Sequence, residues 1–264
     1  MLTVENVKMT FDKGTATEKE ALRGCNLKLE DNDFMTVIGG NGAGKSTILN
    51  AIAGVFMVDE GHIAIDEVDV TRLPEYDRAA HIGRVFQDPR MGTSPGMAIE
   101  ENLAIAYRRG KRRSLRWGIS RRERDLFRTH LETLGLGLED RLTAKAGTLS
   151  GGQRQALTLL MATIQKPKIL LLDEHTAALD PKTAKVVLEL TNKIVQETAL
   201  TTLMVTHNMR DALRTGNRIM MMHEGQIILD VGGEEKKGLE VPDLLKMFEQ
   251  ASGEEMVSDR MLLT

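Results

Sequence analysis

Two short segments of this sequence carry the residue types and spacing that phosphate chemistry needs. Gly39-Gly40-Asn41-Gly42-Ala43-Gly44-Lys45-Ser46 fits G-x-x-x-x-G-K-[ST] at every fixed position. In such a loop the glycines let the backbone wrap until several N–H groups aim at one point, and the following helix N-terminus adds partial positive charge there. Lys45 is placed to reach the β- and γ-phosphates of a nucleotide and Ser46 to hold Mg²⁺. Gly39, Asn41, Gly42, Ala43, Gly44 and Thr47 complete the candidate cradle. The second segment, Lys168-Ile169-Leu170-Leu171-Leu172-Asp173-Glu174, is an apolar run ending in two carboxylates. Phosphoryl transfer needs a metal anchor and a group that orients water; Asp173 fits the first role and Glu174 the second.

A third segment, Leu149-Ser150-Gly151-Gly152-Gln153, opens a helix expected from Arg154 to Gln165. Ser150 and Gln153 form a capping box. Capping does not account for Gly151 and Gly152, because glycine weakens a helix. A bare N-terminus of that kind is expected to take an anion.

These segments need elements to hold them. Phe34 to Ile38 reads as the strand entering the glycine loop, and Thr47 to Ala53 as the helix leaving it. Thr3 to Thr10, Leu22 to Leu29, His62 to Ile65 and Ile82 to Phe86 read as further strands. From Ile99 to about Leu142 the apolar spacing is helical, notably over Glu100–Tyr107 and Glu123–Leu134. Strand and helix then alternate again: Ile169–Leu172, Pro181–Gln196 with proline in its first turn, and Thr201–Val205. Asn217–His223 and Gln226–Val231 suggest a hairpin around Glu224-Gly225; Asp243–Gln250 reads as a last helix and 251–264 as a weakly ordered tail. The chain is thus an α/β nucleotide-binding core interrupted by a mostly helical insert.

Composition narrows the field. No apolar run approaches the 18 or so residues of a membrane helix, and Met1–Asn6 lacks the pattern of a secretory signal. The single cysteine, Cys25, reads as a small core residue and suits the cytoplasm. A net charge of −3 and 3% aromatic residues give no general pull toward nucleic acid. The methionines fall inside apolar stretches, as flexible core filler. One local excess stands out: Arg108, Arg109, Lys111, Arg112, Arg113, Arg116, Arg121, Arg122 and Arg124, opposed only by Glu123. It reads either as a solvated helix surface or as a face turned to anionic headgroups or an acidic partner.

With Leu-Ser-Gly-Gly-Gln beside a P-loop and an Asp-Glu strand end, the sequence resembles the ATP-binding-cassette (ABC) ATPases over nearly its whole length. The resemblance implies a P-loop NTPase fold: a RecA-like α/β core with an antiparallel β subdomain, and a helical subdomain carrying the signature motif. It implies one ATPase domain over 1–250, with core 1–87 and 168–250, insert about 88–167, and tail 251–264. It implies ATP and Mg²⁺ as cofactors, and two cassettes, identical or different, facing head to tail. Ser150, Gly151, Gly152 and Gln153 then act on the nucleotide of the partner. Gln87 matches the glutamine that contacts Mg²⁺ and the attacking water, His207 the switch histidine at the γ-phosphate, Asp180 the D-loop aspartate at the subunit junction, and Phe11 the aromatic that stacks on adenine. Two positions depart from the family: His175 stands where proline is usual, and Ala178 where serine is common.

Among the family's tasks, the resemblance favours the ATPase subunit of a transporter at the cytoplasmic face of the membrane, paired with integral permease subunits. An assembly ATPase of iron–sulfur cluster biogenesis is the alternative of another class; its signature helix reads more like S-G-G-E followed by lysines, whereas Gln153-Arg154-Gln155 follows the transporter pattern. A free-standing ATPase chain favours import over export or lipoprotein release. Gly83–Pro89, Arg116-Trp117-Gly118 and Asp173–Asp180 resemble subunits of bacterial uptake systems that use a solute-binding lipoprotein and a permease akin to branched-chain amino-acid or ribose permeases. Amino acids are the first cargo this suggests.

Overall fold

The computed structural model describes residues 1–111 and 118–253. Two sheets form the frame. The first is antiparallel, order β2-β1-β4-β5, from β1 (Leu2–Phe11), β2 (Lys19–Leu29), β4 (Glu60–Ile65) and β5 (Val68–Asp69). The second has order β10-β9-β3-β8-β7-β6, from β3 (Phe34–Gly39), β6 (Ile82–Val85), β7 (Ile169–Asp173), β8 (Thr202–Val205), β9 (Arg218–His223) and β10 (Gln226–Gly232). Its strands are parallel except β10, which closes the edge as the expected hairpin with β9.

The near-continuous apolar run of β7 has a simple cause: both faces of this sheet are covered. On one side Ile169 and Leu171 pack with Val37, Leu203 and Val205 against α1 (Lys45–Ala53) and the first sheet. On the other, Leu170 and Leu172 pack with Val85 and Met204 against α5 (Gly151–Thr163) and α6 (Pro181–Thr198). The alternation of neighbours along one strand follows from its two-residue period. Ile48, Leu49 and Ile52 of α1 are fully buried, each worth about 1.5–3 kcal/mol of burial, which fixes the helix that carries Lys45 and Ser46. Beyond the hairpin, Met221 and Ile219 pack on α7 (Met209–Arg214) and α9 (Val241–Ser252). The methionines of β9, Met220, Met221 and Met222, are completely buried, as core filler should be. Cys25 is also core: it is buried in β2, its Sγ donates to Gly225 O at 3.1 Å, and burial pushes the thiol up to about 11.

The insert is less continuous than its apolar spacing suggests. Rather than one helix over 99–142, α3 (Ile99–Tyr107) and α4 (Arg121–Glu132) are separate helices close to the two spans with helical spacing, Glu100–Tyr107 and Glu123–Leu134, and α4 starts behind a Ser120–Glu123 capping box. Phe127 and Leu131 then face Ile99, Leu103 and α5. The short helices α2 (Glu75–Arg78) and α8 (Gly233–Lys237), with α7 and the two-residue β5, have too few residues to set a readable period.

The basic excess resolves in part. Arg108 donates to Gly118 O and Glu123, Arg109 to Ala162 O at the end of α5, and Arg124 pairs with Glu100 at 2.7 Å. Lys111 sits over the Tyr107 ring, while Arg121 and Arg122 are exposed. Only Arg109 turns inward; Arg108 and Arg124 stay exposed but are paired with carboxylates, as a solvated helix surface would be. Arg112, Arg113, Arg116 and Trp117 lie outside the described residues, as does the tail from 254.

Candidate functional site

The parallel strands β3, β8, β7 and β6 are neighbours in that order, so their carboxyl ends form one rim, where open α/β sheets bind ligands. β3 delivers the glycine loop and β7 delivers Asp173. β8 leads into His207 and β6 into Gln87. Four segments far apart in sequence are collected by topology alone.

The loop is shaped by close approach. Gly39 has φ +150°, and a Cβ there would lie 2.2 Å from Met222 O of the neighbouring strand. Only glycine fits. Lys45 Nζ, nearly buried, donates to Gly39 O at 2.8 Å and Gly40 O at 3.0 Å. Burial lowers its pKa, while the nearby Glu174 and Asp173 partly offset that shift. Ser46 opens α1, and its hydroxyl donates to Asp173 Oδ1 at 3.3 Å. Asn41 and Gly42 are exposed, Ala43 and Gly44 buried, and Thr47 lies half-buried beside Ser46.

Arg84, which sequence reasoning did not single out, ties three of these segments together. Its Nη2 donates to Asn50 Oδ1 of α1 at 2.6 Å and lies 3.6 Å from Asp173 Oδ2; the guanidinium stacks 4.6 Å from the Phe86 ring centre, one residue before Gln87. Burial raises the Asp173 pKa, with Arg84 and the Ser46 hydroxyl pulling it back. Gln87 is exposed in a cleft of about 650 Å³ that Asn50, Arg84, Asp173 and Ala178 also line.

Glu174 adopts φ +44°, an uncommon conformation for a residue with a side chain. Its Oε2 is 3.6 Å from His207 Nδ1. The close polar contact shifts both groups toward their charged forms: the His207 imidazole lowers the Glu174 pKa, and the Glu174 carboxylate raises that of His207. Asp180 caps α6 by accepting from Thr183 N at 3.1 Å, which holds its carboxyl below the usual range. Phe11 ends β1, half-buried and edge-on to Phe56 at 5.3 Å. It pairs across the sheet with Lys19, whose Nζ lies 3.5 Å from where a Gly42 Cβ would stand, so Phe11 is at the mouth of the loop.

Ser150 and Gln153 form the expected reciprocal cap, at 3.3 and 3.2 Å. No hydrogen bond joins Ser150 to the glycine loop among the described residues. The two glycines have a packing role that the sequence did not reveal. A Cβ on Gly152 would lie 2.2 Å from Thr183 Cγ2, and one on Gly151 3.3 Å from Leu179 Cδ2. The missing side chain at 152 is therefore filled by α6, and only Gly151 and Ser150 are exposed. Further along α5, the buried Gln155 donates to Phe86 O at 3.0 Å, beside Gln87.

The donor set fits a hard divalent cation. A serine hydroxyl and a carboxylate in contact offer oxygen ligands of the kind Mg²⁺ prefers. Among the described residues no cluster of three or more His, Cys, Asp or Glu could hold a metal alone. Mg²⁺ commonly completes its shell with substrate phosphates and water.

The comparisons agree with this geometry. The family profile "ABC transporter" matches residues 22–177. The chain is 44% identical over 251 residues to a tyrosine transport ATP-binding protein of Clostridioides difficile, covering 95% of this chain and 100% of that protein. It is 32% identical over 251 residues to the energy-coupling factor transporter ATP-binding protein EcfA2 of Clostridium acetobutylicum, covering 90% and 85%. Among solved structures, it is similar to the dimeric post-hydrolysis state of the ATP-binding cassette MJ0796 bound to ADP and Pi, with TM-score 0.74, 31% identity, and coverage of 90% and 100%. A P-loop, an Asp-Glu strand end and a capped Ser-Gly-Gly helix on one α/β frame, matched over most of the length, leave one conclusion: the chain belongs to the ATP-binding-cassette family and is an ATPase subunit of an ABC transporter.

Proposed function

We propose that this ATPase works as a head-to-tail pair of cassettes, each nucleotide lying between the glycine loop of one copy and Ser150, Gly151, Gly152 and Gln153 of the other. The observation that carries the reading is the division of the site. Lys45, Ser46, Asp173, Glu174 and His207 converge on one rim, whereas the exposed Ser150 cap of α5 has no hydrogen bond to that rim among the described residues, its Gln153 turning instead to Leu136 O, and its first-turn N–H groups face outward. In this reading Glu174 orients or deprotonates the attacking water, and His207 holds Glu174 and contacts the γ-phosphate. Lys45 leaves its loop carbonyls to meet phosphate oxygens. Gln87 senses the γ-phosphate at the start of the insert, Asp180 sits at the junction of the copies, and Phe11 stacks on the base. Mg²⁺, when bound by Ser46 and Asp173 with Gln87 nearby, neutralises phosphate charge.

Residues 1–250 then act as one ATPase domain whose insert, about 88–167, passes motion to a permease. No helix of the described residues is long and apolar enough to cross a membrane, so a membrane subunit supplies the path and the ATPase docks on its cytoplasmic face. We further infer import of an amino acid, an aromatic one first, on the similarity to a relative named for tyrosine transport. A permease of the branched-chain amino-acid or ribose type and a solute-binding lipoprotein complete that system.

The test is a pair of variants. Glu174→Gln should stop phosphate release, retain ATP binding and trap a dimer in gel filtration. Ser150→Arg should retain ATP binding yet lose turnover. Full activity in Ser150→Arg would end the shared-site reading.

A further inference from the structure

His175 departs from the family pattern, and the structure gives it a specific occupation. It follows Glu174 directly and is 1% exposed. Its Nε2 lies 3.0 Å from Thr191 Oγ1, and the Thr191 hydroxyl donates its proton to Val187 O at 2.8 Å. A hydroxyl has one proton, so Nε2 must carry the N–H and donate. Burial pushes the imidazole down to about 4, which leaves the ring neutral. The loop from 175 to 180 is therefore fastened to α6 at both ends, by His175 on Thr191 and by Asp180 on Thr183.

The residue just outside that fastening is Glu174, with φ +44°. A non-glycine residue stays in this region only where its surroundings over-determine it. Proline at 175 would drive residue 174 toward extended backbone and could donate no hydrogen bond. With histidine the restraint has to come from packing and from a bond to α6. A core position that needed only volume would be filled without a polar atom; the imidazole and the threonine hydroxyl instead fix a direction.

We propose that the His175–Thr191 hydrogen bond is a positioning device that holds Glu174 in its left-handed conformation and so aims its carboxylate at His207 and the attacking water. This rests on the reading of Glu174 as the water-orienting group. Because α6 also fills the space beside Gly152, the same tie connects one nucleotide site to the signature cap that serves the other.

Thr191 gives the clean test, since it lies on α6, behind the buried His175. Thr191→Val keeps the shape and removes the hydroxyl; Thr191→Ser keeps the hydroxyl. ATPase rates are measured on the purified protein well below each variant's melting midpoint. Thr191→Val should lower kcat about tenfold or more, as small misplacements of a reacting group do. KM for ATP should stay within about twofold, the split expected when only the chemical step is touched. Thr191→Ser should keep the wild-type kcat. His175→Ala should match Thr191→Val, and the double variant should be no slower than either. If Thr191→Val fails to fold, Thr191→Ala against Thr191→Ser makes the same comparison. Wild-type kcat in Thr191→Val, equal loss in the valine and serine variants, or additive losses would each overturn the proposal. Glu174→Gln separates it from the reading beneath: if that variant turns over normally both fall, and if it is dead while Thr191→Val is normal, only the tie falls.

Discussion

Gly152→Ala puts one methyl group where the structure leaves no room. The new Cβ would stand 2.2 Å from Thr183 Cγ2, against an optimal carbon–carbon separation of about 3.5–4.0 Å. The N-terminus of α5 and the first turn of α6 must therefore part by more than 1 Å, or Thr183 must leave its rotamer. Overpacking of this kind costs about 1–3 kcal/mol, and alanine returns up to about 1 kcal/mol of helix propensity. The net is about 0–2 kcal/mol, a fall in melting midpoint of up to about 8 °C for a domain of this size. The effect on turnover should be larger, because displacing a catalytic surface by about 1 Å can cost about a hundredfold. The assay is ATPase rate and melting midpoint for Gly152→Ala, for Thr183→Ser, and for the two together. Thr183→Ser removes only Cγ2 and keeps the backbone N–H that Asp180 caps, so it should be near wild type alone and should restore the double variant. A fully active Gly152→Ala, or a double variant no better than the single, would refute the packing argument and return Gly152 to a purely ligand-facing role.

Two further predictions follow from buried groups. Arg78 is 1% exposed and donates to the carbonyls of Ala51 and Ile52 at the end of α1 and of Leu73 and Thr71; Arg78→Met strips four acceptors and should cost about 3 kcal/mol or more, read as a midpoint drop of about 6–12 °C, and an unchanged midpoint would contradict it. The His175 pKa lies at about 4 in the fold and about 6.5 in an unfolded chain, so the unfolded state takes up the proton first. The stability involved is complete above about pH 6.5 and is lost as pH falls, about 2 kcal/mol by pH 5. Denaturant melts at pH 7 and 5 should therefore differ more for wild type than for His175→Ala, while equal differences would mean the ring is not held neutral.

Much of this was legible because phosphate chemistry constrains neighbours in sequence. The glycine loop, the Asp173-Glu174 end of β7 and the Ser150–Gln153 cap are each contiguous, and each was found where local pattern placed it. The strands of the large sheet were readable for the same reason, as short apolar runs between turns. What could not be read is what depends on one element meeting another. Gly152 looked like an opening for a ligand until α6 was seen to fill it. Arg84 and Gln155 are ordinary polar residues in sequence, and only the fold carries them to Asp173 and Phe86. The two insert helices lie close to the spans their apolar spacing marks, Glu100–Tyr107 and Glu123–Leu134; that spacing starts α4 two residues late because the signal for its start is the Ser120–Glu123 cap.

In the proposed cycle, the Gln155 amide is a clutch plate between the signature helix and the segment that carries Gln87. A swing of the insert would reach the backbone just ahead of Gln87 through this side chain as well as through the close packing of α5 on β6, gearing fuel sensing to cargo work. Loosening that contact would slip the gearing while leaving the fuel site intact, and the expected penalty is idling: ATP burned with less hauled.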